Sequence, residues 1–353
     1  MHPGAAGRVA RVLSYDQNGR LFCGEGPLVR QFEREFAALL GVDPVRAVAV
    51  NSCSSALALA LQLAGVAGGE VITTPMTCSA TTEAIVNAGA RVVWADVSPA
   101  TGLIDPADVA RKFTTRTRAI MGVNWGGGQC DPALMEFAAP LIIDAAHGPF
   151  TMPQGDYICY SHGPIKHLSC VDGGMLVTFA GDQDRARKLR WHGLDRESSA
   201  DFRCAQPIAE PGHKWHMNDL NAAIGLANIG EVGRLVGAHR ANAAYYDRLL
   251  AGVPGVGLPR PDPHSAYWCY FLRVEDRDDF RAYMRSRGIA TSPVHARNDR
   301  HPAYHYPNGP LPGVGHYAAR NVAIPVGWWL SPAECDHIVG AVHDWAEAAR
   351  RAA

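Results

Sequence analysis

Short apolar runs and amphipathic stretches take turns along the first half of this chain, and that rhythm leaves few architectures open. "PLVRQFEREFAALLG" (27–41) spaces its apolar residues at helical intervals and stops at Gly41. "AVAV" (47–50) reads as a short buried strand, running into "NSCSSALALALQLAGV" (51–66), which is polar first and then helical. "EVITTP" (70–75) is the next strand, and "SATTEAIVNAG" (79–89) the next helix, closed by Gly89. "RVVWADV" (91–97), "TRAIMGVNW" (117–125) and "PLIIDAA" (140–146) read as strands, with "DPADVARKF" (105–113) and "DPALMEFAA" (131–139) as the helices between them. "DYICYS" (156–161) and "GGMLVTF" (173–179) add two more strands. Strands and helices alternating in this way predict an α/β fold: a mainly parallel central sheet with helices on both faces.

Beyond Gly181 the texture changes. "DQDRARKLRWHGL" (182–194) is a basic helix end, and "ESSADFRCAQPIAEPGHKW" (197–215) is a polar loop rich in turn formers. "MNDLNAAIGLANIGEVGRLVGAHRANAAYYDRLL" (217–250) predicts one long helical region bent near its glycines. From about Val253, proline-rich turns separate short strands ("AYWCYFLRV") from helices ("DDFRAYMRSRG", "SPAECDHIVGAVHDWAEAARR"). The expected organisation is a large α/β domain over 1–250, including the long helix, and a smaller α+β domain over 251–353.

Composition removes several functions. The formal net charge of −1 gives no electrostatic case for nucleic acid or an anionic membrane. No apolar run is long enough to span a bilayer, and "MHPGAAGRVARVL" lacks the apolar core of a signal peptide. The nine cysteines are scattered, odd in number and never spaced as CxxC, which argues for free thiols in a reducing cytoplasm. No GxGxxG follows the first strand, and "WGGGQ" (125–129) has the wrong spacing, so a nicotinamide oxidoreductase lacks its fingerprint.

In open parallel sheets ligands bind beyond the carboxyl ends of the strands, and three features fall there. In "VNSCSSALAL", Asn51, Ser52, Ser54 and Ser55 open a helix; they form either an ordinary N-cap or an anion site suited to phosphate. In "LIIDAAHG", Asp144 follows an apolar strand, as a helix cap or as the partner of a cationic ligand group, with His147 three residues on. In "YSHGPIKHLSCVDGG", Lys166 lies between Ser161 and the pair Gly173–Gly174. The chain holds only four lysines, Lys112, Lys166, Lys188 and Lys214, against 33 lysines and arginines together. A lysine kept where arginine is the rule is either a solvated surface group or an amine needed in its neutral, nucleophilic form. A phosphate cradle, a buried carboxylate and such an amine at the mouth of one sheet match pyridoxal 5'-phosphate.

At these residues the chain closely resembles the DegT/DnrJ/EryC1/StrS family of fold-type-I, pyridoxal-phosphate-dependent sugar aminotransferases. The resemblance runs almost end to end, through "GPLVRQFEREFAALLG", "NSCSSALALAL", "EVITTPMTCSATTEAIVNAGARVVWADVSPATGLIDP", "IDAAHG", "SHGPIKHLSCVDGG", "LRWHG" and "GHKWHMNDLNAAIGLA". It implies that Lys166 is the Schiff-base lysine and Asp144 the partner of the pyridine nitrogen. It implies that His147 contacts the cofactor ring or its 3-hydroxyl, and that Ser54, Ser55 and Ser161 hold the phosphate. It implies a homodimer with shared sites, in which Lys214 stands where the family's asparagine reaches the phosphate of the partner subunit. His192, His295 and Arg297 are the candidate substrate contacts. The implied activity is ping-pong transfer of an amino group, from L-glutamate, to a nucleotide-linked keto sugar; a non-nucleotide cyclic ketone is the alternative acceptor. The family's deoxy-sugar dehydratases carry histidine at the position of Lys166, so the lysine argues against that branch. Intact Asp144 and Lys166 argue against a non-catalytic cofactor-binding protein. Two departures stand out: Cys78 replaces an aromatic that stacks on the cofactor, and "HARNDRHPAYHY" (295–306) is rich in histidine without a metal-binding helix pattern, so no metal is expected.

Overall fold

The computed structural model describes residues 4–14, 26–148, 150, 153–196, 198, 205–304, 306 and 309–352. Helix α1 (Ala5–Leu13) precedes α2 (Pro27–Leu40), which has proline in its first turn and ends where Gly41 takes the left-handed conformation, φ 69°. Strand β1 (Ala47–Val50) leads to α3 (Cys53–Leu63), β2 (Glu70–Thr73) to α4 (Ser79–Asn87), and β3 (Arg91–Trp94) to α5 (Pro106–Lys112). Strands β4 (Thr117–Val123), β5 (Leu141–Asp144), β6 (Tyr157–Ser161) and β7 (Gly174–Thr178) complete the large sheet.

The order across that sheet is β1-β7-β6-β5-β4-β2-β3. Strands β6, β5, β4, β2 and β3 run parallel, and β7 is antiparallel to both of its neighbours. The register decides what meets at one edge: Val123 pairs with Asp144, Ser161 with Gly174, and Gly174 with Val50. Strand ends scattered over more than a hundred residues of sequence therefore line up side by side. One core, around Val29, Phe32, Phe36, Ile120 and Ile158, packs α2 and the later helix at Asp219–Asn228 against one face of the sheet. The other, around Leu57, Leu61, Ile85, Met121 and Leu176, packs α3 and α4 on the opposite face.

After α6 (Gln183–Leu189), the long helical region resolves into α7 (Asp219–Asn228) and α8 (Val232–Leu249), separated by a 3-10 turn at Ile229–Glu231. The break falls at Gly230, one of the several glycines near which the sequence placed a bend. Helix α8 joins two cores: Val232 and Val236 lie in the large one, and Ala243 and Tyr246 pack with a second, antiparallel sheet. That sheet consists of β8 (Val256–Gly257), β9 (Tyr270–Val274) and β10 (Asn321–Ile324), covered by α9 (Arg277–Ser286) and α11 (Pro332–Ala352), with α10 (Pro312–Arg320) leading into β10.

Two expectations need correction. "DPALMEFAA" forms only a 3-10 turn, Pro132–Glu136, because Phe137 is already extended and Pro140 follows closely. "AYWCYFLRV" is a strand only from Tyr270, because Tyr267 takes a left-handed φ of 44° that ends any ladder.

Glu33 and Arg190 form a buried pair at 2.6 Å, extended by Arg187 at 2.9 Å. Glu33 also accepts the Ala49 N–H, and Arg190 donates to the Ala49 carbonyl. The pair thus ties α2 and the end of α6 to β1. Removing either partner would strand a buried charge, at a cost of about 3–5 kcal/mol.

His162 is fully buried, its ring meeting Phe32 and Phe36 edge-on at 5.3 and 5.1 Å. Burial pushes its pKa down to about 4, so the folded chain holds it neutral. Its folded pKa lies below the unfolded one, so its share of stability is complete above pH 6.5 and is lost as the pH falls from there towards 4. His162→Phe should therefore lose about 2 kcal/mol less than the parent between pH 7 and pH 5, at 1.36 kcal/mol per unit. Urea unfolding at both pH values checks this; parallel losses in the two proteins would refute it.

Candidate active site

Asp144 ends β5 and is buried. Its Oδ2 accepts from the Thr81 hydroxyl at 2.7 Å, and its Oδ1 from the Ala146 N–H at 3.0 Å. Thr81 in turn lies 2.7 Å from the Thr77 hydroxyl, one turn back at the start of α4. Burial raises the pKa of Asp144; these hydrogen bonds, and the charges of Lys166 and His295, pull it back.

Lys166 sits on a turn closed by its own N–H to the Gly163 carbonyl, 3.1 Å. The turn belongs to a loop fastened at its mouth, where His162 N–H donates to Gly173 and Cys170 N–H to His162. Among the described residues the ammonium makes no hydrogen bond or ion pair. Its close contact is the indole of Trp268, with Nζ 4.0 Å from the ring centre. Burial lowers its pKa, and the charge of Asp144 opposes the shift. This is the environment that makes an amine available in neutral form.

His147 accepts the Gly126 N–H at Nδ1, 3.2 Å, which leaves its proton on Nε2. Burial, then the charge of Lys166, hold it well below the usual histidine range, so it is a neutral donor. Its ring stacks on Trp268 at 3.9 Å and 12°. The "WGGGQ" segment that failed as a dinucleotide fingerprint thus lies at the end of β4, where a left-handed Gly126 presents its N–H to His147.

The helix-α3 terminus lies beside these groups. Ser52 Oγ caps it by accepting the Ser55 N–H at 3.1 Å, and the Ser55 hydroxyl donates to Asn51 at 2.6 Å. Ser54 is exposed there, and Ser161, half-buried, ends β6 on the same edge. Gly174 allows the approach: a Cβ there would lie 2.5 Å from the Ser52 carbonyl carbon and oxygen. Cys78 precedes α4, half-buried, and its thiol is among the groups that bear on the charge of Lys166.

The second sheet contributes a lid of residues. Asn298 is buried and donates to the Cys78 carbonyl at 3.1 Å and the Thr82 hydroxyl at 2.8 Å, while its N–H bonds to Pro75. This clamp sets His295 near the site, its ring parallel to His147 at 6.5 Å and 5.8 Å from Trp125. Arg297 makes a two-point ion pair with Asp299 at 3.0 and 2.5 Å, which occupies its guanidinium. His192 is exposed and left-handed, φ 55°, and its N–H bonds to His213, next to Lys214. Lys214 is exposed too, on a strap paired with Trp191 whose carbonyl accepts from Asn51 Nδ2 at 3.3 Å. Thr81, Gly126, Trp268 and Asn298 went unnoticed in the sequence. Only Thr77 and Thr81, four apart where a strand gives way to a helix, left a pattern that could have been read.

Buried acid, uncommitted amine, neutral histidine donor and a hydroxyl-rich helix terminus fit pyridoxal 5'-phosphate. Comparison agrees. Residues 5–343 match the DegT/DnrJ/EryC1/StrS aminotransferase family, and the chain belongs to it. It is a pyridoxal-phosphate-dependent aminotransferase of the sugar aminotransferase class. The chain is 32% identical to the spore coat polysaccharide biosynthesis protein SpsC of Bacillus subtilis, over 91% of its length and 90% of that protein. It is 33% identical to a dTDP-4-dehydro-2,3,6-trideoxy-D-glucose 4-aminotransferase of Saccharopolyspora spinosa, over 88% and 87%. The crystal structure of the sugar aminotransferase CalS13 from Micromonospora echinospora superposes with a TM-score of 0.89 at 36% identity, covering 98% of this chain and 97% of that one. No helix among the described residues is long and apolar enough to cross a membrane.

Asn298→Ala removes two side-chain hydrogen bonds and leaves the Cys78 carbonyl without that donor. At about 1 kcal/mol each, the variant should lose about 2 kcal/mol of stability in urea unfolding. An unchanged midpoint would show that the clamp does not hold the two sheets together.

Proposed function

We propose that this chain transfers an amino group from L-glutamate to the keto carbon of a nucleotide-linked sugar. The observation that carries the proposal is the pairing of Asp144 with Lys166: a buried acid and a half-buried, uncommitted amine at the same strand ends. The 4-aminotransferase relative, whose name specifies a dTDP-linked keto sugar, supports the acceptor class. Bound pyridoxal phosphate supplies an aldehyde for Lys166 and a ring that takes up carbanion electrons.

The roles of the chain's residues follow from their chemistry. Lys166 would hold the cofactor through its amine and would serve as the base that moves a proton at the substrate carbon. Asp144, fixed by Thr81 and Ala146, holds the proton on the pyridine nitrogen. His147 would donate from Nε2 to the ring hydroxyl. Ser54, Ser55 and Ser161 would hold the phosphate, and Cys78 would face the ring. His295 lies on the substrate side. Arg297, engaged with Asp299, would reach a substrate only by leaving that partner. We assign the cofactor-binding domain to 1–250 and the small domain to 251–353, and place the enzyme in the cytoplasm, where its free thiols are stable.

Two experiments test this reading. The purified holoenzyme should convert L-glutamate in a half-reaction, and the aminated enzyme should then convert a member of a panel of nucleotide-linked 3- and 4-keto sugars. Turnover of a non-nucleotide cyclic ketone alone would redirect the assignment. Asp144→Asn should weaken cofactor binding about ten- to a hundredfold, by loss of a charge-assisted hydrogen bond, and reduce turnover further; equal turnover would remove Asp144 from the mechanism.

We further propose a homodimer in which the exposed Lys214 serves the phosphate of the partner subunit. An ammonium is a stronger phosphate partner than a neutral amide. Mixing Lys166→Ala with Lys214→Ala chains should give mixed dimers with one doubly altered and one intact site, and so recover cofactor affinity near that of the parent. No recovery after verified mixing, or a fully active monomer, would overturn it.

A further inference from the structure

Trp268 is the largest side chain in direct contact with the amine of Lys166, and three features of the structure converge on it. The first is the delivery of the residue. Tyr267, just before it, is held in the left-handed region at φ 44°, a conformation a bulky aromatic residue adopts only when its surroundings impose it. The surroundings do so: Ala266 N–H bonds to Gly127, Cys269 N–H to Gly126, Tyr267 N–H to Ser265 Oγ, and the Tyr267 carbonyl to His239. A strained backbone pinned on every side turns one indole into the site.

The second feature is that the indole N–H donates to the Ile165 carbonyl at 3.1 Å, on the residue preceding Lys166. The third is the ring itself, stacked on His147 and 4.0 Å from Nζ.

We propose that Trp268 is a positioning residue for Lys166, which fixes the turn through Ile165 and receives the free ammonium on its indole face. The inference rests on Lys166 being the cofactor lysine. During a turnover the amine is twice set free and must stay beside the carbon it serves. An aromatic face holds an ammonium without forming an ion pair that would compete with its work. The attraction depends on charge, so the indole favours the ammonium over the neutral amine. Six other groups bear on that balance: Asp144, Cys53, Cys269 and Cys78 favour the charged amine, while burial opposes it, and the histidines His147 and His295 face the same amine.

The test follows capture of pyridoxal 5'-phosphate by the cofactor-free chain as a function of pH, by visible absorbance, since only the neutral amine reacts. Trp268→Leu keeps an apolar wall and removes the aromatic face. The ammonium then loses its support, and the pH of half-maximal capture rate should fall by about 0.4–1.5 units, from a cation–π contribution of that scale. Trp268→Phe keeps a face without the N–H and should lie between Leu and the parent. An unchanged or raised midpoint in Trp268→Leu, with an unchanged circular dichroism spectrum, would overturn the proposal. Lys166→Ala separates the two readings. If that variant still captures cofactor in the same absorbance band, the lysine assignment falls. If it does not, and the leucine variant matches the parent, only the role of Trp268 falls. Should Trp268→Leu not fold, the phenylalanine variant decides alone: a midpoint equal to the parent's, with its capture rate unchanged, counts against the proposal.

Discussion

Where a side chain on Gly174 would stand, the backbone of Ser52 already lies, 2.5 Å from the ideal Cβ position. Interiors are too closely packed to absorb such a clash. The absence of a Cβ lets the start of β7 lie against the entrance of α3, and much of the site depends on that contact. β7 pairs with β1 on one side and β6 on the other, so the loop that carries Lys166 is closed between β6 and β7 at the same edge as the Ser52 cap. Push α3 outward and the hydroxyls leave the amine. Gly173, at φ 153° with Met217 where its Cβ would be, makes the same demand from the other direction.

Burial then sets the chemistry. It raises the pKa of Asp144 and lowers that of Lys166, and each group's charge resists the shift of the other. Two donors, Thr81 and Ala146, are built in to meet the acid and oppose the rise in its pKa. The amine has no such donor or acceptor among the described residues, so its proton is the one the site can release. His147 is neutral for the same reason that Lys166 is labile, with the Gly126 N–H choosing its tautomer.

The periphery is held by polar contacts that cross between elements distant in sequence. Glu33 and Arg190 fasten α2 to the segment after α6, and that segment pairs with the strap of Lys214. Asn51 bonds both to Ser55 and to the strap's carbonyl, so the helix terminus and the strap share one support. On the opposite side, Asn298 and Trp268 bring the small sheet's loops onto α4 and the lysine turn. Apart from the exposed Asn51, each is a buried or half-buried group whose loss leaves a partner unsatisfied, which fixes one geometry rather than many.

The sequence by itself determined the parts that depend on near neighbours. Apolar periodicity marked the strands and most helices, because side-chain burial repeats every two or 3.6 residues. The shortage of lysine and the glycine pair singled out Lys166, the acid at the end of "LIID" singled out Asp144, and the Asn and Ser residues opening a helix singled out the Ser52 terminus. It also placed a bend near the glycines of 217–250, but not at Gly230 in particular, nor the 3-10 turn after Asp131 or the left-handed Tyr267, which local preference disfavours and tertiary contacts impose. What only the tertiary structure decided is who meets whom: Thr81 with Asp144, Gly126 with His147, Asn298 with Cys78, Trp268 with Lys166, and Arg297 with Asp299 instead of open space. These contacts join residues up to 220 positions apart. No periodicity encodes them, because they follow from strand register and from the packing of one sheet against another.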